Sequence, residues 1–481
     1  MSRFHVVTVG WPQMLIEELC ADIAARSDAR FSHIVHPRHT ASDWPGKPDP
    51  DVIRFFRTSQ SENLPPADPE FLASLEQTGV PTVHNTILGD SVVCRLNYGE
   101  AQKYATFVAR RLFDLYRTMQ PSVVIGGFDS VHNGLALAVA RRMGIPWFAM
   151  HFSVIPPGLA CFCDRMSPAA RIQFAPRPRS ELQALAESSL RKFEERKIQA
   201  AAYIAPPRSF ARAVSRFPAR VAALFGTLRR GRDRKFARFV EVRTRYDAAA
   251  ALRQVWRSYR AHAALAGANT VATPPSTPYV LFGLHMQPES SIDVWAPFFS
   301  NQLWVIELLS RSIPPTHKLL VKIHKSDVSN YSRALLNRMR SFPGVGLVRP
   351  FVDSRSFIER ADLVVAIQGT MGLEAALLGK PVIMLGDSPV TLFPGASRIG
   401  DIQDLPALIR RKLLEPAPTR PEIVQAYASY LAPFSPASTN DWTRKIDEQE
   451  IAGYVRLFER LKQHLAAKPG HLDALNERLH R

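Results

Sequence analysis

At 481 residues the chain is long enough for two or three domains with sizeable cores. Apolar residues make up 46% of it, ordinary for a globular protein, and no run approaches the roughly 18 uncharged apolar residues of a membrane span. The net charge of +18 is concentrated, with 15 Lys/Arg against 3 Asp/Glu between Arg208 and Arg260, which favours an anionic partner.

The N-terminus enters a strand, Phe4 to Val9, without the apolar core of a signal peptide. The turn Gly10-Trp11-Pro12 follows, then a helical stretch from Met14 to Ala25 and a strand from Phe31 to Val35. Asp49-Pro50-Asp51 spells the Asp-x-Asp of metal-dependent transferases, but it sits in a Pro-rich loop with no preceding strand and reads as accidental. Next come a long amphipathic helix, Ala101 to Met119, a strand, Ser122 to Gly126, a helix, Val131 to Met143, and the strand Trp147 to His151. This alternation predicts parallel β-α-β packing. Cys20, Cys94, Cys161 and Cys163 fit neither metal-ligand nor disulfide spacing, which points to a reducing, cytoplasmic setting.

From about Arg171 to Asn269 the strand signals stop, and the segment reads as helical and basic. Arg208, Arg212, Arg216 and Arg220 recur every fourth residue and form one stripe on a helix, followed by Arg229 and Arg230. Such a stretch suits an anionic membrane surface better than nucleic acid, for which aromatic interleaving and known motifs are missing. The alternative is a solvated helical face.

After the Pro-rich entry Thr273 to Pro278, alternation resumes: strand Tyr279 to Leu284, helix Asn301 to Ser312, strand Lys318 to Ile323, helix Tyr331 to Ser341, strand Gly346 to Val348, helix Ser354 to Arg360 and a strand from Leu363. Thr419 to Arg481 is helical. The boundaries read from this pattern are 1–170 for a first Rossmann-like lobe, 171–272 for the basic helical segment, 273–418 for a second Rossmann-like lobe and 419–481 for C-terminal helices. The fold class is α/β, with two such lobes.

Within the second lobe, Gly369-Thr370 joins a buried strand to a helix that carries Gly372 and Glu374. A turn of this kind directs free N–H groups and a positive dipole end at an anion, and places Glu374 about one helical turn away, within reach of a sugar hydroxyl. Gln287, Glu289 and Ser290 follow the strand Tyr279 to Leu284, where they face a donor sugar; Glu289 is a candidate catalytic acid or base or a hydroxyl contact, with a capped loop before the next helix as the alternative. His324-Lys325 ends the next strand and is placed to meet phosphate or a base edge. In the first lobe Asp129, after Gly126-Gly127, is a candidate acceptor-activating base, with an ordinary helix N-cap as the equal alternative. His151, Gly10 and Trp11 are candidates for the acceptor side.

The order Gln287-Pro288-Glu289, a Lys-x-His strand end, Asp353-Ser354-Arg355, Ala361-Asp362-Leu363-Val364-Val365 and Gly369-Thr370-x-Gly372-Leu373-Glu374-Ala375 resembles the capsular polysaccharide biosynthesis proteins, which include retaining β-Kdo transferases. The resemblance runs from about Pro278 to Asp387, and Lys325 stands where the family has Pro. It implies a GT-B fold, a CMP-Kdo donor and no metal; with Lys325 in place of Pro, the expectation here is no bound cofactor and a nucleotide sugar, CMP-Kdo or a UDP-sugar, as co-substrate. The resulting expectation is a metal-independent glycosyltransferase for capsular or surface polysaccharide. It would act on a glycan or glycolipid and lie peripherally on the inner face of the plasma membrane. Its rivals are a sugar-nucleotide epimerase of the UDP-N-acetylglucosamine 2-epimerase type and a non-catalytic polysaccharide-assembly protein.

Overall fold

The structure, a computed structural model, describes residues 4–11, 19–35, 53–55, 64–90, 93–174, 176–198, 256–257, 259–265, 267–437 and 448–467. Among the described residues no helix is long and apolar enough to cross a membrane. Those within Met1–Pro176 and Pro433–Arg481 form one compact unit, and those within Arg177–Asp233 and Val242–Ala432 another.

The first unit is built on strands β1 (Phe4–Val9), β2 (Ala29–Val35), β3 (Ile53–Phe55), β4 (Val123–Gly126), β5 (Trp147–Phe152) and β6 (Leu159–Cys163), with helices α1 (Ala21–Arg26), α2 (Pro69–Ser74), α3 (Val83–Leu88), α4 (Tyr98–Met119) and α5 (Ser130–Arg142). Its strand order is β14-β6-β5-β4-β1-β2-β3, where β14 is Ser435–Pro436. The pairs from β5 to β3 are parallel, as the β-α-β alternation requires; β6 runs antiparallel to both β5 and β14. Strand β6 has no counterpart in the elements read from sequence. It is buried along its whole length, so it carries no polar alternation to mark it.

The second unit holds α6 (Arg179–Glu194) and an all-parallel sheet of β7 (Thr270–Val271), β8 (Tyr279–Gly283), β9 (Lys318–Lys322), β10 (Val345–Val348), β11 (Leu363–Ala366), β12 (Val382–Met384) and β13 (Ala396–Arg398). Its strand order is β13-β12-β11-β8-β9-β10-β7. Around it lie α7 (Ser290–Asp293), α8 (Gln302–Ser312), α9 (Arg333–Arg340), α10 (Ser354–Arg360), α11 (Thr370–Leu377), α12 (Leu405–Leu414) and α13 (Arg420–Leu431). Strands β8 and β11, covered on both faces, read as continuous buried runs.

The units divide the chain differently from the sequence-based boundaries at two places. Helix α6, at the head of the basic segment, belongs to the second unit. Arg355 stacks its guanidinium 4.5 Å from the Phe193 ring centre and donates to the terminal carbonyls of Phe193 and Glu194, while Arg420 pairs with Glu187 and Glu194. Cations at those last carbonyls also complement the helix dipole. The residues from Thr419 onward are likewise shared out. Helix α13 stays in the second unit, but α14 (Glu448–Ala466) packs on the first through Ile451, Tyr454, Leu457, Phe458, Leu461 and Leu465, one face of an amphipathic helix. Gly453 permits this approach, because a Cβ there would fall 1.9 Å from the Pro436 carbonyl oxygen.

Followed from β1 in the first unit and from β8 in the second, each sheet changes winding direction once. In the first unit the chain runs outward from β1 through β2 to β3, then restarts at β4 on the other side; in the second it runs from β8 through β9 to β10 and restarts at β11. The switch points therefore lie between β1 and β4 and between β8 and β11, where doubly wound sheets open a crevice at their carboxyl ends.

Candidate functional site

Parallel pairing of β9, β8 and β11 brings three strand ends side by side, so the segments that follow them meet at the second unit's switch point. His285 follows β8, His324 and Lys325 follow β9, and Gln368-Gly369 follows β11. The Gln368 N–H donates to His285 Nε2 at 3.3 Å, and the Ser326 N–H to His324 Nδ1 at 3.3 Å. Each bond places the proton of a neutral imidazole on the other ring nitrogen, Nδ1 of His285 and Nε2 of His324.

Gly369 is at φ +82°, a left-handed conformation that favours glycine, and its space is occupied as well: an added Cβ would sit 3.0 Å from His285 Cε1. It N-caps α11 and has no side chain to offer, and among the described residues no other side chain accepts from the first N–H groups of that helix. Thr370 hydrogen-bonds to Glu374, whose carboxyl is pushed up to about 7 by burial, against the opposing pull of that bond and of Arg355. Gly372 serves packing instead: a Cβ there would come within 2.6 Å of Met384 Sδ.

The basic groups beside the turn hold their charge reluctantly. Burial, then His324, lowers His285 to about 4; burial, then Lys322 and Lys325, lowers His324 to about 4. Lys322, 5% exposed, is brought down to about 8 by burial and donates to the carbonyls of Ile323 and Pro350. It staples the ends of β9 and β10 together beneath the site. A neutral imidazole pair beside an uncapped helix end and the exposed Lys325 can donate hydrogen bonds to an anion.

Of the residues singled out after β8, Ser290 opens α7 and Glu289 accepts a hydrogen bond from Ser291. The Gln287 amide, read as a donor-sugar contact, is turned inward: its Nε2 donates to Asp293 and its Oε1 accepts from Gln302. The Asp353-Ser354-Arg355 stretch docks helix α6, with Arg355 on its last carbonyls and Asp353 bonded to Arg196.

At the first unit's switch point, Asp129 precedes α5 and is exposed, and its side chain makes no cap hydrogen bond. Asp90 takes that role across 41 positions of sequence, accepting from the Val131 N–H at 2.8 Å. Asn133 accepts from Gly127 N–H at 2.9 Å and donates to the Asp129 carbonyl at 2.6 Å. Ser130 is held at φ +74°, unusual for a residue with a side chain. The N-cap alternative for Asp129 is thus not the one adopted. Gly10 is left-handed at φ +72° and lies against Asn133. Trp11 is 6% exposed and meets Phe458 of α14 edge-on, so its ring is core and not surface lining. His151 is enclosed by the Phe128 and Phe434 rings, and burial drives it down to about 3.

Asp49 and Asp51, and the arginines Arg208, Arg212, Arg216, Arg220, Arg229 and Arg230, lie outside the described residues. His285, Gln302, Asp327, Asp90 and Asn133 were not singled out from sequence. Only His285, at a strand end beside Gln287, carried a signal that could have marked it.

The topology defines the class: two Rossmann-like units in one chain, as in GT-B proteins, the second with an open helix mouth at its switch point. Residues 233–432 match the family model for capsule polysaccharide biosynthesis proteins, bearing out the resemblance read from Pro278 to Asp387. No curated protein sequence matches the chain significantly. Similar solved structures include two transferases of Thermosulfurimonas dismutans KpsC. The β-Kdo 2,4 transferase is 15% identical, with 66% of this chain and 80% of that one covered and a TM-score of 0.36. The β-Kdo 2,7 transferase is 12% identical, with 73% and 90% covered and a TM-score of 0.33. A third is the UDP-GlcNAc 2-epimerase of Neisseria meningitidis bound to UDP-GlcNAc, 12% identical, with 95% and 100% covered and a TM-score of 0.28. With TM-scores below 0.5, none of these likenesses bears on function here.

Proposed function

We propose that the chain is a glycosyltransferase of capsular or surface polysaccharide assembly, taking its sugar from a nucleotide-sugar donor held at the second unit's switch point. One observation carries this: the uncapped end of α11, the His285 and His324 imidazoles and Lys325 are gathered at adjacent ends of parallel strands. Main-chain N–H groups, a helix dipole and imidazole donors are the equipment for stabilising a departing phosphate. Glu374 would receive a ribose or sugar hydroxyl. The match to a capsule polysaccharide family supports the biological setting.

On this reading Kdo is the candidate sugar, the donor is CMP-Kdo or a UDP-sugar, and the residues of the chain do the work without metal or cofactor. The first unit would take a glycan or glycolipid acceptor, with the exposed Asp129 as its base. The basic stretch from Arg208 to Arg260 would hold the enzyme at the anionic inner face of the plasma membrane. Incubation with CMP-Kdo, UDP-sugars and GDP-sugars, with and without glycolipid, tests the reading. Release of one nucleotide that depends on glycolipid supports it; epimerised sugar nucleotide, or no turnover of any donor, overturns it.

A further inference from the structure

The five-residue loop from His285 to Glu289 is held from four sides. From α8, Gln302 accepts from the His285 N–H at 2.7 Å and donates to the His285 carbonyl at 3.1 Å and to Gln287 Oε1 at 3.0 Å. From α7, Asp293 accepts from Gln287 Nε2 at 2.8 Å and from the Glu289 N–H at 2.9 Å. After β9, Asn330 donates to the Gln287 carbonyl at 3.2 Å and to Asp327, whose buried carboxyl also receives the Gln287 main-chain N–H and the Tyr331 hydroxyl. After β11, the Gln368 N–H binds His285 Nε2.

Both ends of the Gln287 amide are therefore engaged within the protein. Of the amide's partners Gln302 is 9% exposed and Asp293 half-buried, and Asp327, which holds the loop's main chain, is 6% exposed, so these bonds are costly to lose. The imidazole of His285 differs. Its Nε2 is anchored to the main chain, and the edge carrying Cε1 and Nδ1 lies against Gly369 at the mouth of α11, where Nδ1 makes no hydrogen bond among the described residues. A loop over-determined in this manner presents one donor in a fixed direction, as preorganised recognition requires.

We propose that Gln287 is a positioning residue, locked between Asp293 and Gln302, and that the loop's contact with the leaving phosphate is the Nδ1–H of His285. The proposal rests on the reading of the second unit as a nucleotide site. Gln287 acts through the loop and His285 on the ligand, so their variants separate.

The test is calorimetric titration of the whole chain with CMP and with UDP. His285→Phe should weaken binding of the preferred nucleotide about tenfold or more. Gln287→Leu and Gln302→Leu should each weaken it by a similar factor, and the double variant no further than either alone. In ¹⁵N spectra of the wild type, nucleotide should shift the Nδ1 signal of His285, a readout independent of whether any variant folds. Loss of affinity in Gln287→Leu with wild-type affinity in Gln302→Leu would mean that the amide touches the ligand, overturning the proposal. So would an unmoved His285 Nδ1 signal at saturation. If neither nucleotide binds the wild type, the nucleotide-site reading itself fails and this inference goes with it.

Discussion

The two units share a winding pattern yet finish their switch-point helices in opposite ways. At α5 of the first unit the helix mouth is closed by the protein: Asp90 caps the Val131 N–H and Asn133 ties Gly127 to Asp129. At α11 of the second, glycine occupies the cap position and, among the described residues, no side chain accepts from the first N–H groups of the helix. The same winding about the switch point thus provides a place for a ligand twice, but among the described residues these two helices leave an anion-ready end once. The lesson is that a switch point locates a crevice, whereas the capping chemistry decides what the crevice can hold.

The largest expected effect falls on the open mouth. Gly369→Ala must place a Cβ at φ +82° and 3.0 Å from His285 Cε1, costing about 1–3 kcal/mol of stability, and it should also abolish nucleotide affinity. Chemical denaturation and titration measure the two. An alanine variant that keeps full affinity would show that the turn need not be open. At the closed mouth, Asp90→Ala removes an acceptor from two N–H groups, Val93 and Val131, and should cost about 1–3 kcal/mol. Nucleotide affinity should stay at the wild-type value, because the change lies in the other unit; a parallel loss of affinity would break the contrast.

Acid should separate the units too. In the first, His33, His132 and His151 are each held down near 3 by burial, and His5 is lowered as well. Folded values below the ordinary 6.5 mean that their contribution is fully present above about pH 6.5 and is lost as pH falls below it. The second unit has His285 and His324 working in the same direction, but Glu374 near 7 and Asp327 near 6 are raised above their unfolded values. Those two carboxyls add stability as pH falls through 7 and 6, partly offsetting the histidines. Hydrogen exchange at pH 7 and pH 5 should therefore show the first unit loosening more; equal loosening would contradict the assignment. The smallest effect is expected at the surface: breaking the exposed Arg26–Glu448 pair by Glu448→Ala should leave the thermal melting midpoint close to that of the wild type.

Much of this was legible before any coordinates. Strands β8 to β11 and helices α8 to α10 follow from apolar runs and 3.6-residue periodicity, and Gly369-Thr370 was visible as a strand-to-helix turn. What escaped depends on partners distant in the chain. Asp90 gives no local sign that it caps a helix starting 40 residues later. Gln287 looked like a ligand contact because its amide can donate and accept; only the fold brings Asp293 and Gln302 to it. The Asp353-Ser354-Arg355 stretch was recognisable, yet its use on the end of α6 required knowing that α6 joins the second unit. Trp11, in the turn after β1, suits the acceptor side by sequence, and only the fold brings Phe458 of α14, over 400 residues later, onto its ring.

The central claim is that the α11 mouth grips a nucleotide's phosphate through main-chain N–H groups, and amide-resolved NMR titration with CMP and UDP tests it most directly. One of the two nucleotides should move the N–H signals of Gly369, Thr370, Met371 and Gly372 in the wild type and leave the α5 N-terminus unmoved. Saturable binding with those four signals unshifted, or no binding of either nucleotide, would contradict it.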